Sequence, residues 1–267
     1  MTKVSLPLLA HNPWSPSKAD LAGNCGLAFK LRYIDKIKGG PKGSPAKIGV
    51  AAHKVLELAI QGDALNSALE KSLTEYQEEL TETEVEDVRA LMSNIDSFMQ
   101  RFSRLTAKHG MQELFVEQTW AITPNFEACA YDDPAAMIRG IVDLAVLLRS
   151  GQLLIVDHKS GRPAAVTKYM TQLDVYATMG LSRLPNVTAV QCGVHFLKNE
   201  KIDWAAVRTP DYIRTILRPW LLNFLNQRAL GLEGYAPSIG RHCAWCDYKQ
   251  ICPAQDQGTD DGQGKSG

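Results

Sequence analysis

No apolar run in this sequence approaches the ~20 residues that a membrane-spanning helix needs. The longest, Ile141 to Leu148 and Leu153 to Val156, are the size of strands, so no membrane span is expected. The N-terminal stretch meets His11, Asn12 and Pro13 too early to form a charged, then apolar, then small-residue leader, and a cytoplasmic location is expected. Neither sign of charge dominates, because 29 Lys and Arg balance 29 Asp and Glu. That balance excludes a whole-molecule field that draws in a polyanion, although a local basic channel is compatible with it. The sequence has no internal repeat and no G-x-x-x-x-G-K-[ST] phosphate loop, so any unwinding motor would be a separate chain. Cysteine is sparse. Six in 267 residues, in a chain that is 45% apolar and long enough to bury its own core, suit metal binding better than a disulfide scaffold.

The residues that are present divide into a helical first part and a mixed second part. Leu21, Leu27, Ala28, Leu31 and Ile34 recur at helical intervals, which predicts an opening helix over Ser17 to Tyr33 with Ser15 or Ser17 as its N-cap. Lys36 to Gly43 is a Lys-, Gly- and Pro-rich loop, and a second helix follows from about Ala46 to Ile60. Ala64 to His109 reads as a helical subdomain broken near Thr81 to Thr83. After Gly110 the texture changes to short β-branched runs, Glu113 to Ile122, Met137 to Leu148 and Leu153 to His158, the last two joined as a hairpin by Ser150-Gly151-Gln152. A helix over Thr171 to Leu181, strands over Val187 to Leu197 and Ile202 to Val207, and a long helix from Pro210 to about Leu230 complete the body. The expected organisation is N-terminal helices (1–60), a helical subdomain (61–110), an α/β core (111–230), a cysteine segment (231–253) and a disordered tail (254–267).

Chemistry concentrates at the predicted hairpin. Asp143 interrupts an apolar strand, where a carboxylate is costly unless a cation or several donors satisfy it. Asp157 and Lys159 end the next strand two residues apart, on one face, and Asp143 can reach that face across the hairpin. Two carboxylates and an amine at the end of a sheet suit phosphodiester hydrolysis, with the acids holding a hard divalent ion and the ammonium orienting the attacking water. His53 and Glu57 lie one turn apart on an apolar helix, and the His53 imidazole is a further candidate ligand. Gln172 and Tyr176 share a helix face directly after the Asp-x-Lys strand. Each piece alone has an ordinary structural explanation, and their order and spacing together favour a site.

A second cluster lies near the C-terminus. Cys243, Cys246 and Cys252, followed by Pro253, are close enough in sequence to bind metal together. Their spacing suits both an iron–sulfur cluster and zinc, for which His242 offers a nitrogen ligand. Cys129 and Cys192, in or beside strands, read as incidental thiols.

The ordered pieces Gly49-x-x-x-His53-x-x-x-Glu57, Gly140-Ile141-Val142-Asp143, Asp157-His158-Lys159-Ser160-Gly161 and Gln172-x-x-x-Tyr176 resemble the RecB-like branch of the PD-(D/E)XK nucleases. That branch includes nuclease domains of recombination helicases and CRISPR-adaptation nucleases. Val142 stands where the family name has Pro. The resemblance implies a restriction-endonuclease-like α/β core, a central mixed sheet flanked by helices, with an inserted helical subdomain. It makes His53, Asp143 and Asp157 ligands of Mg or Mn, joined by the backbone carbonyl of His158. Lys159 becomes the catalytic lysine, and Gln172 and Tyr176 support it. Glu117 falls where the family often has an acid. The resemblance also implies a 4Fe–4S cluster held by Cys25, Cys243, Cys246 and Cys252, clasping the two ends of the chain.

The expected activity is a DNA exonuclease on single strands or duplex ends, in recombination, repair, phage DNA metabolism or CRISPR adaptation. The expected partner is a separate helicase or a recombination or CRISPR-adaptation protein. The alternatives are a catalytically inactive DNA-binding subunit and a structure-specific endonuclease on the same fold. Basic residues between Lys30 and Lys47 are candidates for phosphate contacts. Trp14, Trp245 and Tyr248 are candidates for base stacking, against the commoner use in packing.

Overall fold

The computed structural model describes residues 10–40, 43–199 and 201–254. Two compact units divide the chain, one of Lys42–Leu221 and the other of Met1–Pro41 with Leu222–Gly267.

The larger unit is built on a six-stranded sheet. Its strands are β1 (Met111–Ile122), β2 (Ala128–Cys129), β3 (Ile138–Leu148), β4 (Gln152–Lys159), β5 (Ala189–Phe196) and β6 (Ile202–Trp204), in the spatial order β2-β1-β3-β4-β5-β6. The β4–β5 pair is parallel and the others are antiparallel, so the sheet is mixed as expected. Gly151, at φ +82°, makes the β3–β4 turn. The parallel step requires a crossover, which a helix over Met170–Arg183 supplies.

Period two sorts the side chains of β3 and β4 between two layers. Leu144, Val146, Leu154 and Val156 pack against the helices that precede the sheet. Leu153 and Ile155 turn the other way, against Gly180 of the crossover helix, where a side chain on residue 180 would collide with Leu153. Asp157 continues this second set, and the Asp143 position continues the register that pairs Leu144 with Val156.

Helices over Ser44–Ile60, Leu65–Glu75, Glu82–Ala90 and Met92–His109 form the layer that precedes the sheet. Their apolar faces, including Val55, Leu56, Leu69, Val88, Ile95 and Phe98, make one core with Leu144 and Val156. The expected break near Thr81 is a capping box, in which Thr81 and Glu84 satisfy each other's backbone N–H groups. A second break, at Leu91, was not expected. Gly110, at φ +67°, stops the last of these helices and starts β1.

In the smaller unit the single opening helix expected over Ser17 to Tyr33 is interrupted. Ser15 caps a helix over Pro16–Asn24. Cys25 then turns to φ −161°, ψ 116°, and Gly26–Phe29 resumes the helix before a wider π turn over Lys30–Ile34. Trp14, Phe29 and Tyr235 form an aromatic core for this unit, with Phe29 stacked on Tyr235 at 6.5 Å. The long helix expected from Pro210 carries a π turn at Ile213–Leu217, within the larger unit, before Arg218–Leu230. The disordered tail expected over 254–267 lies outside the described residues except for Ala254.

Candidate functional site

At the end of the β3–β4 hairpin the pairing runs out at Leu144 and Val156, and the next residues on each strand are the two aspartates. The Asp143 Oδ2 atom accepts a hydrogen bond from the His158 backbone N–H at 2.7 Å. Asp157 is 2% exposed. Its Oδ1 accepts from the Gln172 amide at 2.8 Å, and its Oδ2 lies 2.8 Å from Lys159 Nζ. The same Gln172 amide also reaches Tyr176 Oη at 2.9 Å, and Tyr176 donates to the Ile141 carbonyl at 2.9 Å. Gln172 and Tyr176, one turn apart on the crossover helix, thus tie the Asp157 carboxylate to the strand that carries Asp143.

The helix over Ser44–Ile60 delivers His53 from the other side. Its Nδ1 stands 3.7 Å from Asp143 Oδ2 and 4.0 Å from Glu117 Oε1. Gly49 lets this helix come close, since a Cβ there would strike the Ser160 hydroxyl that follows the Asp-x-Lys strand. A cavity of about 460 Å³ opens over the group, lined among others by His53, Glu57, Glu117, Lys159 and Ser160.

Glu117 joins the group through its backbone. It occupies the left-handed region at φ +48°, and the β1–β3 pairing skips it between Val116↔Leu144 and Gln118↔Val142. A non-glycine residue there is strained by about 1–3 kcal/mol, and such strain collects at functional sites. Ligand atoms of His53, Glu117 and Asp143 all lie within 4.8 Å of one another. Sequence reasoning places Glu117 only loosely, because a strained backbone has no sequence signature.

The electrostatics follow from packing acids together out of water. Burial, together with the Asp143 and Glu57 charges, pushes the Glu117 carboxyl up to about 7. Burial likewise raises Asp143 and Asp157, opposed by the His158 N–H on the first and by the Lys159 ammonium on both. Burial lowers the His53 imidazole, which favours the neutral form that a ligand must have. Three crowded carboxylates with raised pKa values and one neutral imidazole are a donor set that Mg or Mn fits.

The His158 ring stands edge-on to the His53 ring at 5.9 Å but directs its Nδ1 away from the acids. It points into the opposite layer, where it meets His195 Nδ1 at 2.9 Å and packs edge-on against Phe98. Only the backbone of residue 158 faces the acids, consistent with a role confined to its main chain.

The cysteines gather separately. Cys25, Cys243, Cys246 and Cys252 line one cavity of about 270 Å³ in the smaller unit. The break at Cys25 presents its thiol there, and Cys25, Ala28 and Tyr248 form a small apolar cluster beside it. The Gly240 N–H points at Cys243 Sγ at 3.4 Å. Cys192 is buried beneath the sheet, with its thiol pushed up by burial, and Cys129 is half-buried at the β1–β2 turn.

The two residues proposed for stacking alongside Trp245 are buried instead. Trp14 belongs to the aromatic core, and Tyr248 packs on the cysteine cluster while donating to the Ile37 carbonyl at 3.1 Å.

No helix of the described residues is long and apolar enough to cross a membrane. No curated protein matches the chain. Among solved structures, a "Putative exonuclease" from Eubacterium rectale aligns over 100% of this chain and 96% of its own, at 12% identity and a TM-score of 0.51. The structure of SSO0001 aligns over 93% and 95%, at 14% identity and a TM-score of 0.34. At that identity the first likeness concerns the fold. The family described as the PD-(D/E)XK nuclease superfamily matches residues 13–253, nearly the whole chain, and with the acids, lysine and mixed sheet in place the protein belongs to that superfamily.

Proposed function

We propose that this protein is a Mg- or Mn-dependent deoxyribonuclease of the RecB-like branch, acting as an exonuclease on single-stranded DNA or duplex ends. The observation that carries the reading is the meeting of Asp143, Asp157, Lys159, Glu117 and His53 where the β3–β4 hairpin opens. His53, Glu117, Asp143 and Asp157, with the His158 carbonyl, would hold the metal. A divalent ion supplies Lewis-acid stabilisation of the phosphate and a more acidic water. Lys159, 2.8 Å from Asp157 and 30% exposed at its side chain, is placed to orient water or an oxygen of the scissile phosphate. Gln172 and Tyr176 fix Asp157 for that work.

The lining of one cavity by Cys25, Cys243, Cys246 and Cys252 supports the reading that these four thiols hold a 4Fe–4S cluster. The Gly240 N–H at Cys243 is the kind of contact that tunes a cluster sulfur. The reading extends to cytoplasmic action beside a separate helicase or a recombination or CRISPR-adaptation protein. The test is divalent-ion-dependent degradation of end-labelled DNA by the wild type and Asp157→Ala. Loss of degradation in the variant supports the assignment, and an unchanged rate refutes it. A covalently closed circle left intact distinguishes end-dependent from internal cutting.

A further inference from the structure

We infer that the smaller unit carries a pocket for one base of single-stranded DNA, walled by Trp245. The inference rests on the nuclease reading for its choice of ligand. Trp245 is 79% exposed, and Ile239 and Ile251, on the same cysteine-bearing segment, are 70% and 54% exposed.

The indole walls a cavity of about 290 Å³ whose other sides include Leu21, Ala28, Asn24, Arg32 and Asp247. Each group has a use for a nucleotide. The indole and the aliphatic wall offer a stacking slot. The Asn24 amide and the Asp247 carboxylate offer a donor and acceptors to a base edge. The Arg32 guanidinium offers a charge to phosphate. Arg32 and Asp247 face each other at 3.9 Å with both side chains about half exposed, so their pairing is weak and easily exchanged for a ligand.

Charge favours the same ligand. The sequence of this unit contains ten Lys and Arg against seven Asp and Glu, although the whole chain is neutral. A polyanion with flat faces matches both the basic surface and the slot. Because every base has a π face, the pocket would bind a strand with little regard to sequence.

The experiment is fluorescence anisotropy of a fluorescein-labelled oligothymidylate in EDTA, where no hydrolysis complicates binding, with far-UV circular dichroism to check folding. Trp245→Ala is expected to weaken affinity about tenfold or more, and Trp245→Phe, which keeps a ring, by less than about threefold. Arg32→Gln is expected to lower the slope of log affinity against log salt by about 0.7, one single-strand phosphate contact. A folded Trp245→Ala protein with wild-type affinity would overturn the inference, as it would if this face docks a protein instead. Wild-type protein that binds the oligonucleotide in EDTA but never degrades it with Mg²⁺ would overturn the nuclease reading and leave the pocket standing.

Discussion

The two units handle their chemistry in opposite ways. In Lys42–Leu221 a large apolar core around a six-stranded sheet comes first, and the acids and lysine sit where that sheet opens. In the other unit the last stretch is nearly coreless: of the described residues 233–254, Tyr248 alone is buried. A segment with three short 3₁₀ turns and one buried side chain has too little apolar area to order itself, and small domains in that position rely on a metal or a staple. The difference teaches that one unit is a scaffold that holds a site, whereas the last segment of the other, under the reading proposed above, would take its order from what its thiols bind. It also separates the donors. Oxygen and imidazole groups suit a hard ion in the larger unit, and sulfur suits a soft centre in the smaller one.

The sharpest way to break this contrast is to remove chemistry from the larger unit without touching its structure. Lys159→Ala is expected to lower DNA degradation roughly 10²–10⁴-fold, the range for a positioned proton-transfer or charge-stabilising group. The same variant should keep the fold, because Lys159 is partly exposed at the strand end. A quantitative end-label assay with circular dichroism checks both.

The converse change is Cys25→Ser. Anaerobic visible absorption with iron and sulfide analysis is expected to show the brown absorbance of the wild type lost in the variant. Stabilisation of the larger unit by Mg²⁺ in a thermal melt should persist, since no cysteine of the cavity lies in that unit. A colourless, zinc-loaded wild type would remove the cluster.

A smaller effect tests the crowding of acids. Glu117, pushed up to about 7 from an ordinary 4.5, is ionised in both folded and unfolded chains above that value and protonated in both well below the lower one. A raised carboxyl pKa destabilises the fold as pH rises through the window between them. In EDTA, Glu117→Gln is therefore expected to raise the melting temperature by a few degrees at pH 8 and to leave it unchanged near pH 4. With Mg²⁺ present the sign should reverse at pH 8, because a ligand has been lost. Melting curves at the two pH values, with and without the ion, read the effect.

Much of the larger unit was legible because its signals are local. The apolar runs Ile141 to Leu148 and Leu153 to Val156, with Gly151 between, specify a hairpin, and period two then puts Asp143 and Asp157 on one face. The parallel β5 was readable as a strand, but its direction depends on the crossover helix and not on its own residues. The break at Cys25 was hidden, since Leu21, Leu27 and Leu31 keep helical spacing on either side of it. The two-residue β2 is too short to carry a period. Trp14, Tyr248 and Trp245 look equivalent as letters, and tertiary packing alone decides that two are buried and one is open. The thiol spacing admits zinc and iron–sulfur alike, and the fold adds that Cys25, distant in sequence, lines the same cavity as Cys243, Cys246 and Cys252.

The claim that a divalent ion is shared between facing carboxylates is tested most directly by titrating Mn²⁺ into the metal-free protein, without DNA, by isothermal calorimetry. Wild type is expected to bind, with Asp143→Asn and Asp157→Asn each weakening binding about tenfold or more, as lost ligands do. Wild-type Mn²⁺ affinity in both variants would contradict it.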